Sequence, residues 1–295
     1  MTVAAGAEIA ECSPGPFNPS PGVTDNGGMH GFRGSRPSLS ARRSSHLRVI
    51  LLSALLVAPV FAADSAFAAA NSTTPSPTLG ASIAASNGTG GVYTPPTITI
   101  IAAAKAKLTP VYDKAGAPKP FATLNNKTNY SGRHVFLVVG REGDWYKVEL
   151  PMRPNGRTGY VKAADVALYQ HDYAIHVSLS THAMVVYKAG KEIMRETVAV
   201  GSAKYPTPTG SFYLRELARP SNPRGAYGPY AFGLSAYSNV LQTFGRGDGQ
   251  IGVHGTNEPT ALGQSVSHGC IRVRNAAITL LAKTLPQGVP IEISA

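Results

Sequence analysis

No stretch of the sequence reaches the ~20 consecutive apolar residues that a membrane-spanning helix requires. The longest candidate, residues 47–63 (LRVILLSALLVAPVFAA), is short and is interrupted by Pro59. Charge is scarce too: 15% of the 295 residues are Asp, Glu, Lys or Arg, against 31 Gly and 23 Pro. That balance argues against a helical bundle and for a loop-rich, largely β chain. The 43% hydrophobic content still leaves material for a core. The net charge of +11 comes from scattered Lys and Arg. With no basic stripe and no recognisable nucleic-acid module, no nucleic-acid partner is expected. An anionic cell envelope suits such a charge better.

Cysteine is almost missing. Cys12 lies ahead of the apolar run, which leaves Cys270 as the one thiol of the mature chain. A lone cysteine cannot close an internal disulfide, so it is an intermolecular link or a reactive group. No Cys-x-x-Cys or His-Glu-x-x-His pattern is present. A zinc site at His254, His268 and Cys270 therefore rests on ligand type alone, and no metal or cofactor is expected. No Gly-x-Ser-x-Gly elbow surrounds Ser267. Asp248 and Glu258 are the only acids between Glu216 and Glu292, so paired carboxylates for glycoside cleavage are not evident.

What is present begins with an address. Arg42, Arg43 and Arg48 precede or open the apolar run, and Ala66-Phe67-Ala68 follows it. This is the layout of a secretory signal with cleavage near Ala68. An uncleaved membrane tether through residues 47–63 is the rival reading. Residues 1–68 thus form a signal or anchor region, whose length is explained if Met29 is the true start. The chain is expected to be exported, to the cell wall, the periplasmic side or the outside. Residues 69–97 are small, polar and Pro-interrupted, a composition that favours a disordered spacer.

From residue 98 onward, β-branched and aromatic runs alternate with Gly, Pro and Asn clusters, which are strand and turn signals. Residues 98–168 resemble a small β-barrel of the bacterial Src-homology-3 type. The cues are Gly143-Asp144-Trp145-Tyr146-Lys147-Val148 and Gly159-Tyr160-Val161. Trp145 is expected in the core or at the rim. The second unit, 171–295, has strands at Tyr173–Leu179 and Ala183–Tyr187, a hairpin turn at Ala189–Lys191 and a return at Met194–Val200. One helix is predicted, capped by Asn275, running to Leu285 and stopped by Pro286, with a last strand at Val289–Ile293. The fold class is mainly β: a small barrel followed by a β-rich domain with one short helix.

The chemistry gathers near the end, at His254-Gly255 and Ser267-His268-Gly269-Cys270-Ile271-Arg272. A free thiol is a few per cent ionised at neutral pH, and an imidazole beside it can take its proton. Such a pair performs acyl transfer. Glycines at 255 and 269 let backbone groups approach, and N–H groups around Gly269 and Cys270 could hold an oxyanion. Spacing alone does not decide whether His254 or His268 is the base.

These residues, with Asn275 and the segment Tyr205-Pro206-Thr207-Pro208-Thr209-Gly210-Ser211-Phe212, resemble the L,D-transpeptidase catalytic domain family over about residues 172–294. The resemblance implies Cys270 as nucleophile, His254 as general base and acid, and the Gly255 carbonyl as orienter of its ring. It makes His268 a second polar group near the thiol. It places Tyr205, Thr207, Thr209, Ser267 and Arg272 at the substrate cleft, with Arg272 and Ser267 also shaping the loop. Tyr227, Tyr230 and Tyr237 would belong to a Gly-rich lid over 225–237. The implied reaction takes the acyl group of a peptidoglycan tetrapeptide stem, releases D-Ala and passes the acyl group to a neighbouring stem amine, giving a 3→3 cross-link. An L,D-carboxypeptidase is the chemical alternative, and a non-catalytic wall-binding module is the alternative of another class.

Overall fold

The computed structural model describes residues 93–125, 133–244 and 247–295, together with Ala10–Glu11. Apart from Ala10–Glu11, the signal or anchor region and the spacer up to residue 92 lie outside the described residues. No described helix is long and apolar enough to cross a membrane.

The first sheet runs through β1 (Ala10–Glu11), β2 (Thr99–Ala104), β5 (Val135–Glu142), β6 (Trp145–Glu149), β7 (Thr158–Lys162) and β8 (Val166–His171), in the order β1-β8-β2-β5-β6-β7. The strands β3 (Leu108–Val111) and β4 (Ala122–Asn125) form a separate antiparallel hairpin. Between β5 and β6 the chain reverses at Gly143, whose φ of +57° lies in the left-handed region. Alternate residues of these strands pack inward: Ala102, Phe136, Tyr146, Val148 and Val161 form one buried cluster. Trp145 is half-buried at its margin, with its ring edge-on to Tyr112 at 4.8 Å.

The second sheet contains β9 (Tyr173–Ser178), β10 (Ala183–Lys188), β11 (Lys191–Thr197), β13 (Gly210–Ala218), β14 (Ala231–Tyr237), β15 (Gln250–His254), β17 (Ile271–Arg272) and β18 (Pro290–Ser294). Its order is β11-β10-β9-β18-β13-β14-β15-β17. A short parallel pair, β12 (Val200–Gly201) and β16 (Ser265–Ser267), stands apart. The hairpin turn expected at 189–191 is present, with Ala189 and Gly190 both at positive φ. The returning strand ends at Thr197 and not at Val200, because Val200 and Gly201 leave β10 to pair with β16. The one described α-helix, α1 (Asn275–Thr284), buries Ala277, Ile278 and Leu281 into the core with Phe212, Leu234 and Ile251. Spacings of three and four put that stripe on one face. Ile278 and Leu281 each contribute about 1.5–3 kcal/mol when fully buried.

Three expectations need correction. Asn275 does not cap the helix: the cap position is Arg274, and the Asn275 side chain is engaged elsewhere. The stretch 225–237 is not a lid throughout, because 231–237 is β14, hydrogen-bonded on both sides inside the sheet. The last residues of the expected spacer are not free, since Tyr93 stacks on the His176 ring at 4.6 Å and 10°.

Candidate active site

The site is built where two strands run parallel. In the β15–β17 pair, Val253 lies opposite Ile271 and His254 opposite Arg272. The residues just before them, Gly252 and Cys270, are thereby neighbours, and Gly252 hydrogen-bonds the thiol. His254 ends β15 and is buried. Its Nδ1 lies 2.6 Å from the Gly255 carbonyl oxygen. A carbonyl only accepts, so Nδ1 carries the proton and Nε2 keeps its lone pair.

Burial pushes the His254 pKa down to about 4, the Arg272 cation pushes the same way, and the Gly255 bond opposes both. Burial pushes the Cys270 thiol up, against the pull of the Gly252 hydrogen bond and the Arg272 charge. Both shifts favour the uncharged forms.

The loop after His254 is fixed from the helix. The Thr256 N–H donates to Asn275 Oδ1 at 2.8 Å. Gly255 has no room for a side chain, since a Cβ there would sit 2.2 Å from Asn275 Oδ1. Ser267, the last residue of β16, closes the turn that leads to Cys270. Its Oγ donates to the Cys270 carbonyl at 2.6 Å and accepts from the Gly269 N–H at 3.1 Å. Gly269 has φ +114°, so the backbone demands glycine, and a Cβ would also push on the Ile251 Cδ1 methyl at 2.9 Å. The Gly269 N–H expected to face an oxyanion is thus already committed to Ser267.

His254, Cys270, Ser267, His268 and Arg272 line one cleft of about 330 Å³. Tyr227, Leu241, Phe244 and Ile251 supply its apolar walls.

Comparison with known proteins follows the same residues. The family profile of the YkuD L,D-transpeptidase catalytic domain matches residues 172–293. The L,D-transpeptidase YkuD of Bacillus subtilis is 32% identical over 126 residues, which are 43% of this chain and 68% of that relative. The chain belongs to the L,D-transpeptidase catalytic domain family. Among solved structures, an L,D-transpeptidase from Mycobacterium smegmatis is 15% identical, with a TM-score of 0.37 and coverage of 63% of this chain and 100% of that one. A mutant of the Enterococcus faecium L,D-transpeptidase is 21% identical, with a TM-score of 0.32 and coverage of 41% of this chain. The match spans 48% of that Enterococcus chain.

Within this L,D-transpeptidase domain the remaining expected site residues divide. Tyr205 stacks on the His268 ring at 4.9 Å, and Phe244 covers His268 at 5.1 Å, so His268 is held between two aromatic rings. Arg272 pairs with Glu258 at 2.8 Å while lining the cleft. Thr207 does not face the cleft: it is 3% exposed. Its hydroxyl donates to the Gly269 carbonyl and accepts from the Gly201 N–H, each at 2.8 Å. It is a pin behind the Gly269-Cys270 turn. Thr209 is exposed and does not line the cleft. Of the three tyrosines assigned to a lid, Tyr227 lies over the His254 ring at 4.8 Å. Tyr237 is buried, with its hydroxyl donating to the Pro151 carbonyl. Tyr230 accepts from Arg219. The walls Leu241 and Phe244 and the support from Asn275 carried no local signal, because each depends on a partner distant in sequence.

Proposed function

We propose that the chain is a peptidoglycan L,D-transpeptidase with Cys270 as nucleophile and His254 as general base and acid. The observation that carries this is the His254 Nδ1–H to Gly255 carbonyl bond in the cleft that holds the thiol. That bond leaves Nε2 as the proton acceptor.

With burial favouring the uncharged form of each group, proton transfer accompanies attack. Nε2 takes the Sγ proton as the sulfur adds to the carbonyl of the third residue of a tetrapeptide stem. The oxyanion forms in the field of Arg272, with the Cys270 N–H as the donor that the turn has left for it. The C–N bond breaks, Nε2–H protonates the departing D-Ala amine, and a thioester remains on Cys270. A side-chain amine of a neighbouring stem then attacks the thioester and gives its proton to Nε2. The C–S bond breaks and the thiol regains its proton. The product is a 3→3 cross-link.

The leader and spacer fit an exported enzyme working at the cell wall, with the first sheet as an accessory unit of the Src-homology-3 type. The purified chain, incubated with disaccharide tetrapeptide, should form an acyl adduct and release D-Ala and a cross-linked dimer, and Cys270→Ala should do neither. Intact-protein and product mass spectrometry reads each step. Tripeptide without dimer would make the enzyme a carboxypeptidase. A folded chain that binds wall material and forms no adduct would leave only a binding module.

A further inference from the structure

One wall of the cleft is weakly held by its own domain. Ser238, Leu241 and Phe244 line the cleft, and they belong to the loop that follows β14. Within that loop, the Val240 and Leu241 N–H groups turn back onto Ser238 Oγ, and the Ser238 N–H reaches the Gly249 carbonyl. Val240 is 51% exposed and Phe244 45%, so burial anchors the loop poorly.

The missing restraint comes from the first sheet's unit, through the loop between β6 and β7. The guanidinium of Arg153 donates through Nη2 to the Leu241 carbonyl at 3.0 Å and to the Ser238 carbonyl at 3.4 Å. It also lies over the Tyr237 ring at 4.7 Å. Asn155 makes a two-way bond with the backbone of Tyr237: Oδ1 accepts from its N–H at 2.9 Å and Nδ2 donates to its carbonyl at 2.7 Å. Asn155 Nδ2 also reaches Asn239 Oδ1 at 3.2 Å. These bonds fix the exit of β14 and the first turn of the wall. A bond from a charged donor is roughly twice as strong as a neutral one, and the two protons of one Nη2 can serve two carbonyls at once.

We propose that Arg153 and Asn155 are positioning residues of the cleft, so that the first unit sets the shape of the donor-stem site by holding the Ser238–Phe244 wall. The inference rests on the transpeptidase reading for its kinetic consequence but not for its structural one. Neither residue touches the thiol or the His254 ring in the structure; they act through Leu241 and Phe244. Phe244 in turn packs on His268 inside the nucleophile's turn.

The test uses the full chain carrying Arg153→Ala, Asn155→Ala or Arg153→Lys. Arg153→Ala and Asn155→Ala should each raise KM for the tetrapeptide about tenfold, the scale of one lost buried hydrogen bond. The kcat should change less than about threefold, and Cys270 alkylation by iodoacetamide should be unchanged, since the chemistry at sulfur is intact. Arg153→Lys should recover part of the loss, because one ammonium can still reach one carbonyl. Hydrogen exchange should accelerate in 238–244 and stay as in the parent at the β9–β11 hairpin. An unchanged KM with unchanged exchange in 238–244 overturns the proposal. Exchange that accelerates equally over both sheets also overturns it, since the two residues would then be general glue. If the parent chain shows no turnover, the transpeptidase reading fails while the exchange comparison still decides the role of Arg153 and Asn155.

Discussion

The two histidines of the cleft occupy contrasting regions. His254 ends a strand in the sheet, is buried, and has one ring nitrogen fixed by the Gly255 carbonyl. His268 crowns a turn, is exposed, and has its ring between Tyr205 and Phe244. A buried imidazole with a defined tautomer keeps one nitrogen lone pair for a proton, the role proposed for His254. A solvent-facing ring sandwiched by aromatics is part of a wall. Residue type is the same in both places, and the role follows from what the second nitrogen touches and how much water reaches the ring.

The sharpest way to break this contrast is to remove each ring. His254→Ala should cut turnover about 10²–10⁴-fold, the usual range for general acid–base catalysis. His268→Ala belongs at the other end of the scale, with a loss under about tenfold. Equal losses in steady-state kinetics with the stem peptide would end the distinction.

A smaller effect tests the turn that carries the thiol. Gly269→Ala forces a side chain to φ +114° and against Ile251, a strain of about 1–3 kcal/mol. It should appear as a lower denaturant midpoint, together with slower alkylation of Cys270. Releasing the support under His254 should cost less. Asn275→Ala leaves the Thr256 N–H without its acceptor, worth about 1–3 kcal/mol if water cannot replace it and less if it can. Chemical denaturation measures this, and turnover should fall with it because the His254 loop loosens.

The pH dependence of stability sharpens the comparison further. The His254 pKa falls from 6.5 unfolded to about 4 folded, so the unfolded chain binds the proton more tightly. Its contribution is fully present above pH 6.5 and is lost as pH falls through that window toward 4, with a slope of at most about 1.4 kcal/mol per pH unit for one proton. Glu149, buried where the first unit meets Ser235, behaves oppositely: its pKa rises from 4.5 to about 8. Its contribution is fully present below 4.5 and is lost as pH rises toward 8. Thermal unfolding across pH should show a shallower acid limb in His254→Gln and a shallower alkaline limb in Glu149→Gln. Variants that shift both limbs alike would contradict the assignment.

Much of the architecture could be read before the coordinates. Strand signals located β9, β10 and β18 to within a residue or two, and the Ala189-Gly190 turn and the helix ahead of Pro286 were legible locally. The proximity of Cys270, His254 and His268 followed from family resemblance. What stayed hidden depends on partners far along the chain. Resemblance places Thr207 at the substrate cleft, yet its hydroxyl is buried against Gly269. Asn275 reads as a helix cap, the commonest use of Asn at such a position, but its acceptor oxygen serves Thr256. The Gly269 N–H looked available because no local pattern reveals that Ser267 folds back onto it.

The ring stack of Tyr93 on His176 has a mechanical meaning. It ties residue 93 to β9, four strands away from β15 in the sheet. The stack thus adds a side-chain fastening on β9, remote from the strand pair beside Cys270.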